Sequence, residues 1–509
     1  MGNLTIETTA GKVRGEELDG VSVFRGIPYA SADRFKAPKP AKPWAGVRDA
    51  TQFGPAAPQV IRPHDPPPPK PGEHFWRLGM GADTGLSLRE DNQSEDCLVL
   101  NVWTPAVDAR RRPVVIWLHG GGWSVGSGAR RAAEGTALSR HGDVVVITIN
   151  HRTGILGHLE LGEAMGSDWE GSGNNSVLDL VAALKWIQQN IASFGGDPDN
   201  VTVTGSSGGG AKTWTLLGMP AARGLIHRAA ILNGYLMWHQ VRPQAAHQAA
   251  DALLADLGVK RGDVDKLLTL PATAFVQAGG RALKRLPSIQ SFPSTLPEGL
   301  WFAPMVGGQS LPTSPTAAIA NGSARDIPIL IEKAAFEHFD AAAFVGLPFG
   351  WIDDGQLFAC VRKYLGDGAE EVVATYRRMR PHESASTLLA HIVTDANWRM
   401  PAIRVAEAQE RAGGKAWLAH YGFEFGTFTA MLFNNTALFG GTPLSAIARQ
   451  VVEAGLQFAR TGNPSSTAAP PWPEYRSDER AEMFFEHSCR VERDAWREER
   501  LAWERSGLR

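Results

Sequence analysis

The chain has 509 residues, of which 43% are hydrophobic, 20% charged and 8% aromatic, which supplies enough apolar material for a large core and excludes a disordered chain. Lys and Arg total 51 against 53 Asp and Glu, a formal charge of -2, so no field concentrates nucleic acid or an anionic membrane, and neither partner is expected. The 3 cysteines, Cys97, Cys360 and Cys489, are too few for a disulfide framework and odd in number, which fits a reducing, cytoplasmic setting.

Met1–Ala10 (MGNLTIETTA) lacks the basic start and apolar stretch of a secretory signal. No later window offers about 18 uninterrupted apolar residues, so neither export nor a membrane span is expected. Pro58–Gly72 (PQVIRPHDPPPPKPG) is the one break in composition. Its prolines remove amide donors and fix φ, which predicts a stiff Pro-rich lid or surface loop over 58–75. The apolar run Pro113–Leu118 reads as a buried strand, as do Val144–Ile149 and Val201–Thr204. Between the last two, Ser176–Ile191 carries apolar residues at helical spacing. Strand, helix, strand with doubly buried strands implies an α/β fold: a mostly parallel sheet flanked by helices, with ligands at the carboxyl ends of its strands.

Two glycine-rich segments fall at such ends. His119-Gly120-Gly121-Gly122-Trp123 follows the strand ending at Leu118, where residues without side chains can aim successive N–H groups at one point. Gly205-Ser206-Ser207-Gly208-Gly209 follows Val201–Thr204 and precedes helix-compatible Ala211–Leu217. G-x-S-x-G between strand and helix exposes its central serine on a strained turn. Ser207 is therefore the candidate nucleophile, and the amides of Gly121, Gly122 and Gly208 are the candidate oxyanion donors. Neither phosphate-binding glycine spacing is present. No H-E-x-x-H occurs and the cysteines lie far apart, so no metal and no cofactor are expected. Trp123, Tyr235, Trp238, Trp301 and Phe302 are candidate pocket walls, suited to an apolar or aromatic small-molecule substrate. Towards the end, Tyr421–Phe425 reads as a strand, and Arg490–Arg509 as a helix with Trp496, Leu501 and Trp503 at helical spacing.

Phe194–Gly209 (FGGDPDNVTVTGSSGG) resembles, throughout, the long serine signature of the type-B carboxylesterases, the cholinesterase-like members of the α/β-hydrolase fold. Glu95–Trp103 (EDCLVLNVW) is similar to their second signature, departing at Val99. Phe24–Ala30 (FRGIPYA) and Phe458–Pro464 (FARTGNP) extend the likeness over nearly the whole chain. The resemblance implies one α/β-hydrolase domain over 1–509 with large loop and helical insertions, acting as a monomer or homodimer. It implies that His119 supports the glycine loop, and that Glu337, in Phe336-Glu337-His338 after the strand Ile327–Ile331, is the triad acid. The family's histidine position falls on Met431 and its following Glu on Asn434, and no histidine stands between His420 and His487. Where relatives have S-G-S, this chain reads Asn233-Gly234-Tyr235. The family's base is thus missing together with two of its polar neighbours, and His239 and His338 are the candidate substitutes; His382, His391 and His420 also lie near the missing motif.

Three readings follow. The first is a serine hydrolase of carboxylic esters with a non-standard triad. The second is a non-hydrolytic enzyme, such as a lyase, cyclase or acyl-transfer catalyst, that keeps the oxyanion hole. The third is a binding module without catalysis, against which the retained serine and glycines argue.

Overall fold

A computed structural model describes residues 4–60, 92–234, 241–283, 302–334, 352–422, 425–435, 445–486 and 488–507. Runs of branched and aromatic residues with few polar interruptions make central strands that are buried on both faces, and more polar strands flank them at the edges. They are β1 (Glu16–Leu18), β2 (Val21–Pro28), β3 (Val99–Thr104), β4 (Arg112–Leu118), β5 (Val145–Ile149), β6 (Gly196–Ser206), β7 (Arg228–Leu232), β8 (Ile329–Ala334), β9 (Ala416–Tyr421), β10 (Ala481–Phe485) and β11 (Cys489–Arg493). These form an 11-stranded sheet in the order β11-β10-β9-β8-β7-β6-β4-β5-β3-β2-β1. The strands from β5 through β4 to β10 run parallel, and antiparallel strands close both edges. The order reverses around β4, because β5 lies on one side of it and β6 on the other, and the crevice above such a switch point is where open α/β sheets bind ligands.

Alternation along each strand feeds two cores. One face carries Ile116, Ile147, Val203, Ile231 and Leu418 against Leu180, Leu184 and Ile187 of helix α1 (Asn175–Asn190). The other carries Trp117, Val146, Leu232, Leu330 and Tyr421, covered by Met431 of α3 (Phe425–Leu432) and by Val451, Val452 and Phe458 of α4 (Ala446–Thr461). Between β6 and β7 stands α2 (Gly208–Leu217), every residue of which is buried. Each fully buried Leu, Ile or Val is worth about 1.5–3 kcal/mol relative to exposure, so the two apolar layers hold the strand ends, and with them the site, in place.

The three strands expected from the apolar runs and the helix between them are present, as is the parallel pairing. Two expectations near the C-terminus are corrected. The strand ends at Tyr421, and Phe425 opens α3 instead of continuing the strand. Residues Cys489–Arg493 pair antiparallel with β10 at the sheet edge, and only Arg497–Arg505 is helical (α5), because Trp496 takes a left-handed φ of 57° between them. Of the Pro-rich stretch 58–75, residues 61–75 lie outside the described residues. Among the described residues no helix is long and apolar enough to cross a membrane.

Candidate active site

Strand β6 ends at Ser206, and the next residue turns the chain abruptly: Ser207 has φ 57° and ψ -121°. The left-handed region is costly for a residue with a Cβ, and two hydrogen bonds hold the turn. The Ser207 amide donates to the Leu232 carbonyl at the end of β7 (3.0 Å), and the Ser207 carbonyl receives the Ala211 amide of α2 (3.1 Å). Glycine on either side is a steric requirement. A Cβ on Gly205 would lie 2.4 Å from the Leu118 carbonyl oxygen, and one on Gly209 only 2.0 Å from it, so strand, turn and helix approach β4 more closely than any side chain allows.

The glycine loop leaves β4 directly beside this turn. Gly121 and Gly122 have φ of 92° and 61°, and a Cβ on Gly208 would fall 2.4 Å from the Gly122 nitrogen. Among the described residues the N–H groups of Gly121, Gly122 and Gly208 donate to no backbone carbonyl. Carbonyls that face away hold the loop. Gly121 O accepts the amides of Ser124 (3.3 Å) and Val125 (3.2 Å), and the His119 Nδ1–H faces Gly120 O at 2.9 Å. The His119 ring stacks on His151 (centroids 4.7 Å apart, 7° between planes), with Nδ1 of His151 2.8 Å from Arg152 O and 2.9 Å from Ser176 Oγ. Burial holds His119 and His151 well below the usual imidazole range and brings His158 down to about 3. These imidazoles are neutral supports, as expected for His119, and are unsuited to accept a proton near pH 7.

Several candidates lie outside the described residues: Glu337, His338, His239, Tyr235, Trp238 and Trp301. Of the remaining pocket candidates, Trp123 is 2% exposed and packs edge-on against His158 at 5.1 Å, and Phe302 is buried in the cluster around Ile155 and Trp169. Both rings are buried. Met431, on which the resemblance placed the family's histidine position, is buried in apolar company. Among the described residues the Ser207 hydroxyl has no hydrogen-bond partner. Of the other histidines considered from the sequence, His391 sits 3.0 Å from Glu383, His420 sits 3.4 Å from Glu486 and against Trp496, and His382 is exposed.

One buried carboxyl beside the elbow had escaped notice in the sequence. Glu332 ends the apolar run of β8 in register with Leu232, and its backbone carbonyl accepts the Asn233 amide (2.9 Å). It is 3% exposed, and its Oε2 and both polar side-chain atoms of Asn233 have no partner among the described residues. Burial raises the Glu332 carboxyl from 4.5 to about 8, against smaller lowering by the Asn233 amide and Lys333. The fold therefore favours the protonated acid. That contribution is full below pH 4.5, declines as the unfolded chain ionises, and is lost as pH rises through about 8. Glu332→Gln, which keeps the shape without the charge, is expected to match the wild type in urea unfolding at pH 5 and to exceed it by a few kcal/mol at pH 9. Parallel stabilities at both pH values would refute the raised carboxyl.

A strained serine between strand and helix, set beside a glycine loop at the switch point of a mostly parallel sheet, defines an α/β-hydrolase. The sequence pattern of the Carboxylesterase family matches residues 2–502, and the chain belongs to that family. It is 32% identical to the para-nitrobenzyl esterase of Bacillus subtilis over 97% of both chains. It is 31% identical to the fumonisin B1 esterase of Sphingopyxis macrogoltabida over 93% of this chain and 84% of the relative. Among solved structures, a carboxylesterase of Geobacillus stearothermophilus superposes with a TM-score of 0.82 at 32% identity, covering 98% of this chain and 100% of the other.

Proposed function

We propose that this protein hydrolyses carboxylic esters through an acyl-enzyme on Ser207, with the amides of Gly121, Gly122 and Gly208 receiving the oxyanion and without the family's usual histidine. The observation that carries the reading is the left-handed Ser207 set against the glycine loop. A strained turn of this kind costs about 1–3 kcal/mol and has no structural use once its serine is idle. Attack by Oγ on the ester carbonyl forms the C–O bond and moves the π electrons to oxygen, where the three amides stabilise them. The alkoxide leaves with a proton, and water then releases the acid and restores the serine. Glu337 is the assigned acid, and His239 or His338 the assigned carrier of the serine proton. The substrate assigned is an apolar or aromatic ester, in keeping with relatives named for a para-nitrobenzyl ester and for aliphatic aromatic polyesters. Three free thiols among the described residues support a cytoplasmic setting, and a monomer or homodimer suffices for the chemistry.

A second reading rests on the apolar Met431 and on the lack of a hydrogen-bond partner for the Ser207 hydroxyl among the described residues: a non-hydrolytic enzyme that polarises a carbonyl without a nucleophile. Intact-mass measurement after incubation with an alkyl fluorophosphonate separates the two. One covalent adduct on the wild type within minutes, absent from Ser207→Ala and slowed at least tenfold in whichever of His239→Ala and His338→Ala lacks the base, is the expected result. No adduct over hours would sink the hydrolase reading in favour of the second.

A further inference from the structure

Five residues beyond Ser207, on the elbow helix α2, stands a lysine that the chemistry above does not use. Lys212 has 0% exposure. Its Nζ donates to the His119 carbonyl oxygen at 2.8 Å, lies 3.4 Å from His119 Nδ1, and sits 5.7 Å from the centre of the Trp123 ring. Among the described residues no carboxylate forms an ion pair with it. The charged or titratable groups that face it are His119 after β4, His151 after β5, His158 on the short helix Gly154–His158, and Arg130; the nearby Arg152 is already paired with Asp179. Burial, aided by Arg130, pushes the Lys212 ammonium well below the usual lysine range. A buried amine without a counter-charge lowers the stability of a fold, so its place directly behind a reactive turn calls for a compensating use.

The hydrogen bonds supply one. Peptide groups are conjugated, so a donor on a carbonyl oxygen draws electrons from the attached nitrogen and sharpens its N–H. Lys212 holds the His119 carbonyl, whose peptide partner is the Gly120 N–H. His119 in turn donates from Nδ1 to the Gly120 carbonyl (2.9 Å), whose peptide partner is the Gly121 N–H. This tautomer follows from the carbonyl, which can only accept. The lysine thus fastens the first residue of the glycine loop to the helix that carries Ser207, and the next bond in the chain bears on an amide facing the serine.

We infer that Lys212 is a positioning residue for the oxyanion loop: through the His119 carbonyl, its Nζ locks the Gly120–Gly122 amides against the Ser207 elbow. The inference rests on the ester-hydrolase reading for its kinetic consequence and on hydrogen bonding alone for its structural one. Both are measurable in the full chain carrying Lys212→Met, which keeps length and helix propensity while removing the donor, and Lys212→Gln, which keeps a neutral donor.

The loop is tested first, independently of activity. Hydrogen exchange of a peptide covering residues 119–126 is expected to accelerate at least tenfold in Lys212→Met and less in Lys212→Gln, while the melting temperature stays level or rises. Unchanged exchange in Lys212→Met overturns the inference. With p-nitrophenyl acetate, kcat is expected to fall about 10- to 100-fold in Lys212→Met, less than or equal to the roughly 100- to 1000-fold cost of losing an oxyanion donor outright, because the amides are loosened and not removed. KM should move less than twofold, affinity for an aryl trifluoromethyl ketone should fall in step with kcat, and Lys212→Gln should recover part of both. A drop in melting temperature with proportionate loss of active protein and no change in kcat per active site would reduce Lys212 to a packing residue and likewise overturn the inference. Faster exchange in a protein whose wild type neither labels nor turns over esters would leave the positioning role standing and remove the hydrolase reading instead.

Discussion

Ester turnover by Ser207→Ala is expected to fall by about 10⁴-fold or more, the range seen when the nucleophile of a serine hydrolase is removed, with KM little changed. The size of the effect follows from the step lost. Without Oγ the acyl-enzyme cannot form, and the remaining amides only polarise the carbonyl for attack by water. A companion variant makes the claim sharper. Ser207 pays for its φ of 57°, a conformation that glycine adopts freely. Ser207→Gly is therefore expected to be as inactive as the alanine variant and more stable to urea by about 1 kcal/mol. Measuring kcat and unfolding free energy on both separates loss of chemistry from loss of fold. Residual turnover within about tenfold of the wild type would rule out covalent catalysis at Ser207.

Much of this site was legible because its parts are local. A strand reads from a run of branched residues, and an elbow reads from glycines flanking a serine where a strand gives way to a helix. Gly205 and Gly209, on either side of Ser207, are forced by backbone approach to β4 within one short segment. What was misread depends on partners distant in sequence. Phe425–Leu432 (FGTFTAML) carries strand-like aromatic and β-branched residues, yet it folds as a helix because its end packs Met431 into the apolar face over β7 and β9. Arg490–Arg493 alternates charge in a way that suits a solvated helix, but edge pairing to β10 lets the same alternation serve a strand. Lys212 and Glu332 look like ordinary solvated residues beside apolar runs. Their burial arises only when α2 docks on β4 and β7 covers β8, which no local pattern announces. The stacked His119 and His151 likewise come from separate loops brought together by neighbouring parallel strands.

The floor of that assembly is a buried ion pair, and breaking it is expected to be the costliest single charge change outside the elbow. Arg152, in the segment that follows β5, donates to Asp179 of α1 from its backbone amide (3.1 Å), Nε (2.8 Å) and Nη2 (2.6 Å), with side-chain exposures of 5% and 0%. Its remaining arm reaches the Lys36 carbonyl at 2.7 Å. Burial pushes the Asp179 carboxyl up while Arg152 pulls it down, so each charge is tolerated because the other is there. Asp179→Asn leaves the guanidinium buried without a counter-charge, at an expected cost of about 3–5 kcal/mol in urea unfolding. Removing both charges is a different matter, because an apolar pair of similar volume needs no desolvation. Arg152→Met combined with Asp179→Leu is expected to recover more than half of the loss of Asp179→Leu alone, a coupling that the double-mutant cycle through Arg152→Met, Asp179→Leu and their combination measures directly. Because His151 precedes Arg152 and stacks under His119, Asp179→Asn is also expected to slow fluorophosphonate labelling of Ser207, and the double variant to restore part of it. A single-variant cost under 1 kcal/mol, or a double variant no better than the single, would show that hydrogen bonding to neutral neighbours rather than charge pairing secures this corner of the fold.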